Sequence, residues 1–327
     1  MLPAGQSKCL KVVRVLRLLR LGFLLGLVAA AGWGGFRLHE EMDAKGCRNL
    51  AGLPTKIQHS PQSPDRVRVA ALGDTGTGDT DQKQVAHALA KVCRSFGCDF
   101  VLLLGDNFYP DGLSGLDDPQ FDEKFTSLYQ DLGIPVYGVL GNHDVRQHPL
   151  PQVLAGVRGS QWRMPNYQYI LDAEFVRFHA LNTNCGPLAL NALAEGLTPT
   201  QAPAWTVALG HHPVYSSGTH GDADPLTQLF WEWQFGDVVD VHLSGHDHHL
   251  AHLRTGSRTE FVVSGAGGKH YRNEDERKRL TPSAGELLFQ HLDTGFVWLE
   301  FTPTRLEGRF HDSTGALLYR FERERSR

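Results

Sequence analysis

Five apolar runs in this chain end in a glycine turn that is followed by Asp, Asn or His. Val67–Leu72 leads into Gly73-Asp74, Phe100–Leu104 into Gly105-Asp106, and Pro135–Leu140 into Gly141-Asn142-His143-Asp144. Trp205–Leu209 leads into Gly210-His211-His212, and Val238–Leu243 into Gly245-His246-Asp247-His248. Taken singly, each is weak: Gly-Asp after a strand is an ordinary turn, and a buried histidine usually packs. Folding would accept Ser, Thr or Gly at most of these places, so the series Asp, Asp, Asn-His, His, His-x-His asks for a chemical reason. Carboxylate, amide and imidazole together suit Zn, Fe or Mn rather than Ca. His246 and His248 are two apart, so in extended chain both face the same side. The 17 histidines are a high number for 327 residues and point the same way.

The elements between these turns must bring them together. Asp81–Phe96 has helical spacing, with Val85, Ala88, Leu89 and Val92 on one face and Asp79 or Thr80 as cap. Asp118-Pro119 opens a second helix expected to run to about Leu132, with Pro at the first helical position. Strand, polar loop, helix, strand is the pattern of an α/β fold, and in such folds the loops at the carboxyl ends of strands build the site. In the second half, strands are expected at Tyr167–Leu171, Phe175–Leu181, Glu260–Val263, Phe296–Phe301, Arg305–His311 and Leu317–Phe321, and a helix at Asp224–Phe235. Ser313-Thr314-Gly315 supplies a hairpin turn. Lys269–Arg279 reads as a charged surface loop.

The composition, 41% hydrophobic and 21% charged, is that of a globular protein, and a net charge of −4 argues against nucleic acid as a partner. The N-terminus differs. Lys8, Lys11, Arg14, Arg17 and Arg20 precede an apolar stretch from Leu21 to Phe36, the order of a secretory signal or an uncleaved signal anchor. We therefore expect residues 1–37 to direct export, to the periplasm, the cell exterior or a lumen, with membrane attachment if the segment is kept. Residues 38–65 read as a linker and residues 66–327 as the catalytic domain. Beyond Cys9, four cysteines remain, Cys47, Cys93, Cys98 and Cys185, compatible with one or two disulfides and with three possible pairings.

The motifs Gly73-Asp74-Thr75-Gly76, Gly105-Asp106-Asn107-Phe108-Tyr109, Gly141-Asn142-His143-Asp144, Gly210-His211-His212-Pro213 and Gly245-His246-Asp247-His248 resemble those of the calcineurin-like metallophosphoesterases. Tyr109, three residues after Asp106, narrows the resemblance to the purple acid phosphatases, of the small type similar to tartrate-resistant acid phosphatase. It runs from about Val67 to Phe321 and includes Trp162-Arg163-Met164-Pro165. It implies an α/β fold, a four-layer α/β/β/α sandwich with two mixed β-sheets flanked by helices, and a monomer.

The same resemblance implies a site. Asp74, Asp106, Tyr109 and His248 would hold Fe(III); Asp106, Asn142, His211 and His246 would hold Fe(II), Zn(II) or Mn(II), with Asp106 bridging. Hydroxide generated between the ions would attack the phosphorus of a phosphate monoester. His143 would contact the phosphate or protonate the leaving group, Asp144 would orient His143, and His220 would line the substrate loop. Some residues depart from the pattern. His212 stands where an aromatic residue is common, and Asn182-Thr183 where Asp-Thr is common; His249, His252 and His270 are expected to pack or lie at the surface. A phosphodiesterase acting on nucleotides or lipid head groups, and a membrane-tethered binding protein without turnover, are the alternatives.

Overall fold

In the computed structural model, residues 43–158, 161–197 and 203–325 are described. The strands are β1 Lys56–His59, β2 Val67–Leu72, β3 Phe100–Leu103, β4 Val136–Gly138, β5 Trp162–Arg163, β6 Tyr169–Ala173, β7 Val176–Ala180 and β8 Trp205–Leu209. They continue with β9 Val241–Ser244, β10 Leu250–Arg254, β11 Glu260–Ser264, β12 Glu286–His291, β13 Gly295–Phe301, β14 Arg305–Asp312 and β15 Leu317–Glu324. The longer helices are α1 Thr80–Phe96, α2 Leu150–Val157, α3 Pro187–Gly196 and α4 Pro225–Gln234. One sheet has the order β15-β14-β13-β2-β3-β4-β5 and the other β1-β6-β7-β8-β9-β11-β10-β12. Both are mixed: β2 to β5 run parallel beside the antiparallel β13 to β15, and β7, β8, β9 and β11 run parallel beside antiparallel neighbours.

Alternation along the strands makes the layers. Val67, Val69 and Ala71 of β2 face Leu171, Phe178, Val207 and Leu243 across the space between the sheets. Ala70 and Leu72 turn the other way and pack with Val85, Leu89 and Val92 of α1. On the far side, Ala208 and Val263 pack with Leu193 of α3 and Trp231 of α4. Successive strand residues point to opposite faces, so strands buried on both faces require helices outside both sheets. The result is the expected four-layer α/β/β/α sandwich.

α1 begins where the spacing places it: the Asp79 side chain accepts from the N–H groups of Asp81 and Gln82, each at 3.1 Å. The helix expected from Pro119 winds differently. Asp118 spends its carboxylate on Ser114 N and Gln120 N, and a wide π turn occupies Asp122–Thr126 before Ser127–Tyr129 and the tighter Gln130–Leu132. The buried Gln82 amide takes the Lys124 carbonyl at 2.7 Å, which satisfies a group that the irregular winding leaves open.

The stretch 38–65 is no free linker from Ala44 onward. β1 adds to the second sheet beside β6, Asn166 holds Leu50 by both its N–H and its C=O, and Cys47 is bonded to Cys185. Cys93 and Cys98 form the second disulfide. Short length hid β1, β5 and α2 from a periodicity argument, and β10 and β12 carry too little alternation to stand out. Among the described residues no helix is long and apolar enough to cross a membrane. The expected signal or anchor at 1–37 lies outside the described residues.

Candidate metal centre

The turns after β2, β3, β4, β8 and β9 meet at one end of the sandwich. Tyr109 Oη donates to Asp74 Oδ1 at 2.9 Å, and His248 Nε2 lies 3.5 Å from the same oxygen. Asp106 Oδ1 lies 3.5 Å from His211 Nε2. His211 Nε2 in turn is 2.9 Å from Asn142 Oδ1 and 3.2 Å from His246 Nδ1, and Asn142 Oδ1 is 3.1 Å from His246 Nδ1. Ligand atoms of Asp74, Asp106 and His211 fall within 4.8 Å of one another. All seven expected ligands are thus brought together, in two groups: Asp74, Tyr109 and His248 in one, and Asn142, His211 and His246 in the other, with Asp106 reaching His211.

The backbone is bent to achieve this. Asp74, Asp106 and His246 each follow a glycine and have φ of 59°, 53° and 69°. Positive φ is uncommon outside glycine, and such conformations persist where surrounding structure enforces them. Gly141 lies against the Asp106 backbone and carboxylate so closely that a Cβ there would overlap them.

The donor set fits cations. His211 Nδ1 lies 2.9 Å from the Leu104 carbonyl and donates to it, so in the neutral ring Nε2 is a lone pair. That lone pair faces the oxygen of Asn142, the nitrogen of His246 and the carboxylate of Asp106, a convergence of electron pairs that a positive ion resolves. Asp74 and Asp106 are 0% and 2% exposed, and neither has a Lys or Arg partner among the described residues. Burial works against a charge on His211, yet Asp106 and Asp74 outweigh it and push the imidazole up to about 10, so a proton on Nε2 fills the place that a metal ion would take from it. Burial, then repulsion from the neighbouring imidazoles, His211 first, drives His246 far below the usual histidine range. Burial and the same two carboxylates raise the Tyr109 phenol far above its ordinary value, so tyrosinate forms there only beside a strong cation.

Around this cluster, His143 donates from Nδ1 to the Pro110 carbonyl at 2.5 Å, and its Nε2 lies 3.2 Å from an Arg146 guanidinium nitrogen and 3.9 Å from Asp106 Oδ2. Asp144 does not orient His143, contrary to expectation. It is fully buried and accepts from Gly141 N at 2.8 Å, Asn107 N at 3.0 Å and Phe108 N at 3.2 Å. Its carboxylate therefore braces the turns after β3 and β4. The ring-orienting role falls to Pro110. The His220 ring lies 4.1 Å, centroid to centroid, from that of His246 and tilted by 31° to it, and its backbone N–H donates to Asp247 at 2.8 Å.

The model of the calcineurin-like phosphoesterases matches residues 67–250. The chain belongs to the calcineurin-like phosphoesterase family. It is similar to purple acid phosphatase 17 of Arabidopsis thaliana, 29% identical over 290 residues that cover 80% of this chain and 85% of the relative. It is also similar to tartrate-resistant acid phosphatase type 5 of Sus scrofa, 26% identical over 294 residues covering 78% and 86%. Among solved structures, GAP50, the anchor in the inner membrane complex of Plasmodium, shares the fold with a TM-score of 0.67 at 22% identity, over 80% of this chain and 90% of that one.

Two departures from the phosphoesterase pattern have structural reasons. His212 Nδ1 meets Thr183 Oγ1 at 2.8 Å, and its ring lies 4.5 Å from that of His246. Asn182 donates to the carbonyls of Lys45 and Gly46 at 2.8 and 3.0 Å, which an aspartate could not do. His249 stacks on Tyr271, and His252 pairs with Glu260 at 2.8 Å; both are buried. His270 lies 3.7 Å from Asp81. Sequence reasoning missed Arg146, Lys269 and the Asp247–Tyr271 pair, which holds the His220 loop. Asp247 stood inside a quoted motif; the others carry no local signal.

Proposed function

We propose that this phosphoesterase hydrolyses phosphate monoesters with two metal ions, as an acid phosphatase of the purple type. The observation that supports it best is the grouping of Asp74, Tyr109 and His248 beside Asn142, His211 and His246, with Asp106 between them. The names of the relatives agree. Asp74, Tyr109, His248 and Asp106 would hold Fe(III), for which a phenolate is a hard anionic donor. Asp106, Asn142, His211 and His246 would hold Fe(II), Zn(II) or Mn(II). Two bound ions supply Lewis acidity and lower the pKa of a bound water.

The chain does the rest. Buried Asp74 and Asp106 balance positive charge where water is scarce. His143 and Arg146 stand together beside Asp106, so that an anionic ester is met by the Arg146 guanidinium and, once the imidazole is protonated, by His143 Nε2 as well. Pro110 fixes the proton on His143 Nδ1, which leaves Nε2 to face the reacting group. His220 covers His246. The two disulfides suit an oxidising compartment and the expected export. A phosphodiesterase is disfavoured by Tyr109, and a binding protein without turnover by the complete ligand set; the likeness to GAP50 concerns the fold.

A visible absorption spectrum of the purified protein, paired with metal analysis and hydrolysis of a chromogenic phosphate monoester, tests the reading. A tyrosinate-to-iron band, about two metals per chain and turnover support it. Two metals with no band would move the assignment to an all-divalent centre, and no turnover by the metal-loaded protein would overturn it.

A further inference from the structure

Two clefts open from the candidate centre, one on each side of His220. The first encloses about 270 Å³ and is walled by Leu190, Val214 and Trp231, next to His246 and His212. The second encloses about 600 Å³, with Tyr109 and His248 on its floor and Lys269 and Arg279 among its walls. Its charges are unevenly matched. Arg272 is engaged by Asp79 and Asp81 at 2.6 and 2.7 Å. Lys269 and Arg279 have no carboxylate partner among the described residues.

Lys269 is also held in place. Its N–H donates to the Asp74 carbonyl at 3.1 Å, and Gly267 N donates to Gly73 O at 3.0 Å. Gly267 lies so near Thr75 and Gly73 that a Cβ would come within 2.6 and 2.7 Å of them. The segment after β11 is thereby clamped to the turn that carries Asp74. The Lys269 ammonium sits 4.2 Å from the centroid of the Tyr109 ring. The same ring carries the hydroxyl that meets Asp74 at 2.9 Å, so the ammonium over it stands at the reacting end of the cleft. A half-buried cation without a counter-ion, aimed at a phosphate site, calls for an anion.

We propose that Lys269 and Arg279 form a second anion subsite that selects phosphate monoesters whose leaving portion carries its own negative charge. This rests on the phosphomonoesterase reading above. The phosphoryl group lies at the centre, and the leaving portion extends into the cleft over Tyr109 rather than into the apolar cleft. Lys269 and Arg279 are specificity-determining residues, and the substrate class is bisphosphorylated or carboxylate-bearing monoesters.

The test uses matched probes on the metal-loaded full chain. Turnover is compared for phenyl phosphate and 4-carboxyphenyl phosphate, and equilibrium binding by calorimetry for phenylphosphonate and 4-phosphonobenzoate. The wild-type protein should favour the carboxylate member of each pair. In Lys269→Gln/Arg279→Gln that preference should fall about tenfold, the scale of a charge-assisted contact, while Lys269→Arg should retain most of it. Because the preference is a ratio, intrinsic leaving-group differences cancel between wild type and variant, and metal content and unfolding curves identify a misfolded variant. Equal handling of both members by the wild type, or a ratio unchanged in the double variant, overturns the subsite. Carboxylate-dependent phosphonate binding without turnover of either ester would keep the subsite and overturn the phosphomonoesterase reading.

Discussion

The backbone N–H of His143 donates to Oδ1 of Asp106 at 2.8 Å. One carboxylate thus joins the turn after β3 to the turn after β4, in addition to facing His211. Burial alone would raise its pKa, but the His211 charge and the His143 N–H hold it well below the usual carboxylate range. Asp106 is therefore an anion in the folded chain whether or not a cation is bound. If it bridges two ions, Asp106→Asn should keep the hydrogen bond and lose both metals. Metal analysis after dialysis should give well under one ion per chain. Full retention of one ion would reduce Asp106 to a ligand of the other.

His143 and Asp144 are neighbours in sequence with opposite surroundings. His143 reaches Arg146 and the edge of the centre; Asp144 is sealed among backbone N–H groups and the Asn107 amide. His143→Ala should leave metal content unchanged and lower kcat by about 10²–10⁴ if the ring acts as acid or as a charge contact in the transition state. Asp144→Ala should instead unsettle the two turns, with a stability loss of about 3 kcal/mol from stranded buried donors and weaker metal retention. Urea unfolding and metal analysis of both variants separate the two roles. A stable, metal-loaded Asp144→Ala with only kcat reduced would restore Asp144 as the residue that orients His143.

The strand-turn motifs made the site legible because the seven ligands follow five apolar strands in sequence, Asp106 and Tyr109 after β3 and His246 and His248 after β9. β2 to β4, β8 and β9 are parallel members of two sheets, so sequence order alone placed their carboxyl ends together. What stayed hidden was set by distant contacts. Asp144 looked like an orienting group because its sequence neighbour is His143, whereas its partners Asn107 and Phe108 lie 37 and 36 residues away. Lys269 read as part of a surface loop because nothing local shows that Gly267 packs on Gly73. The stretch before β1 read as a linker because its polar residues give no period, although Asn166 and Asn182 hold its backbone.

His242 of β9 is enclosed by Trp231 and Phe261, with ring centroids at 4.7 and 6.0 Å, and burial lowers its pKa to about 3. The unfolded chain takes up this proton near 6.5, the folded chain only near 3. Between those values the unfolded state holds more protons, so stability falls as pH falls. Each unit of difference is worth about 1.4 kcal/mol. His242→Phe keeps an aromatic ring among aromatic neighbours and removes the titration. Between pH 7 and pH 5 the wild type should lose about 2 kcal/mol more than the variant, from the pH span below 6.5. Urea unfolding at both pH values measures this; parallel losses would mean that His242 opens to water before it protonates.

Asn182 and the Cys47–Cys185 disulfide secure the same junction by different means. The amide donates to the Lys45 and Gly46 carbonyls, while the disulfide closes a span of 138 residues two positions after Lys45. Asn182→Asp would set a buried carboxylate against two carbonyl oxygens and remove both donors. With the disulfide intact, the N-terminal stretch cannot leave, so the repulsion is retained and the cost should be about 2–3 kcal/mol. With Cys47→Ser/Cys185→Ser the stretch can peel away. The disulfide loss alone should cost about 2–5 kcal/mol, but Asn182→Asp should add little to it. The double-mutant cycle should therefore show coupling above about 1 kcal/mol. Additive costs in urea unfolding would mean that residues 44–49 stay seated without the disulfide, held by Asn49 on Gln168 and by Leu50 on Asn166.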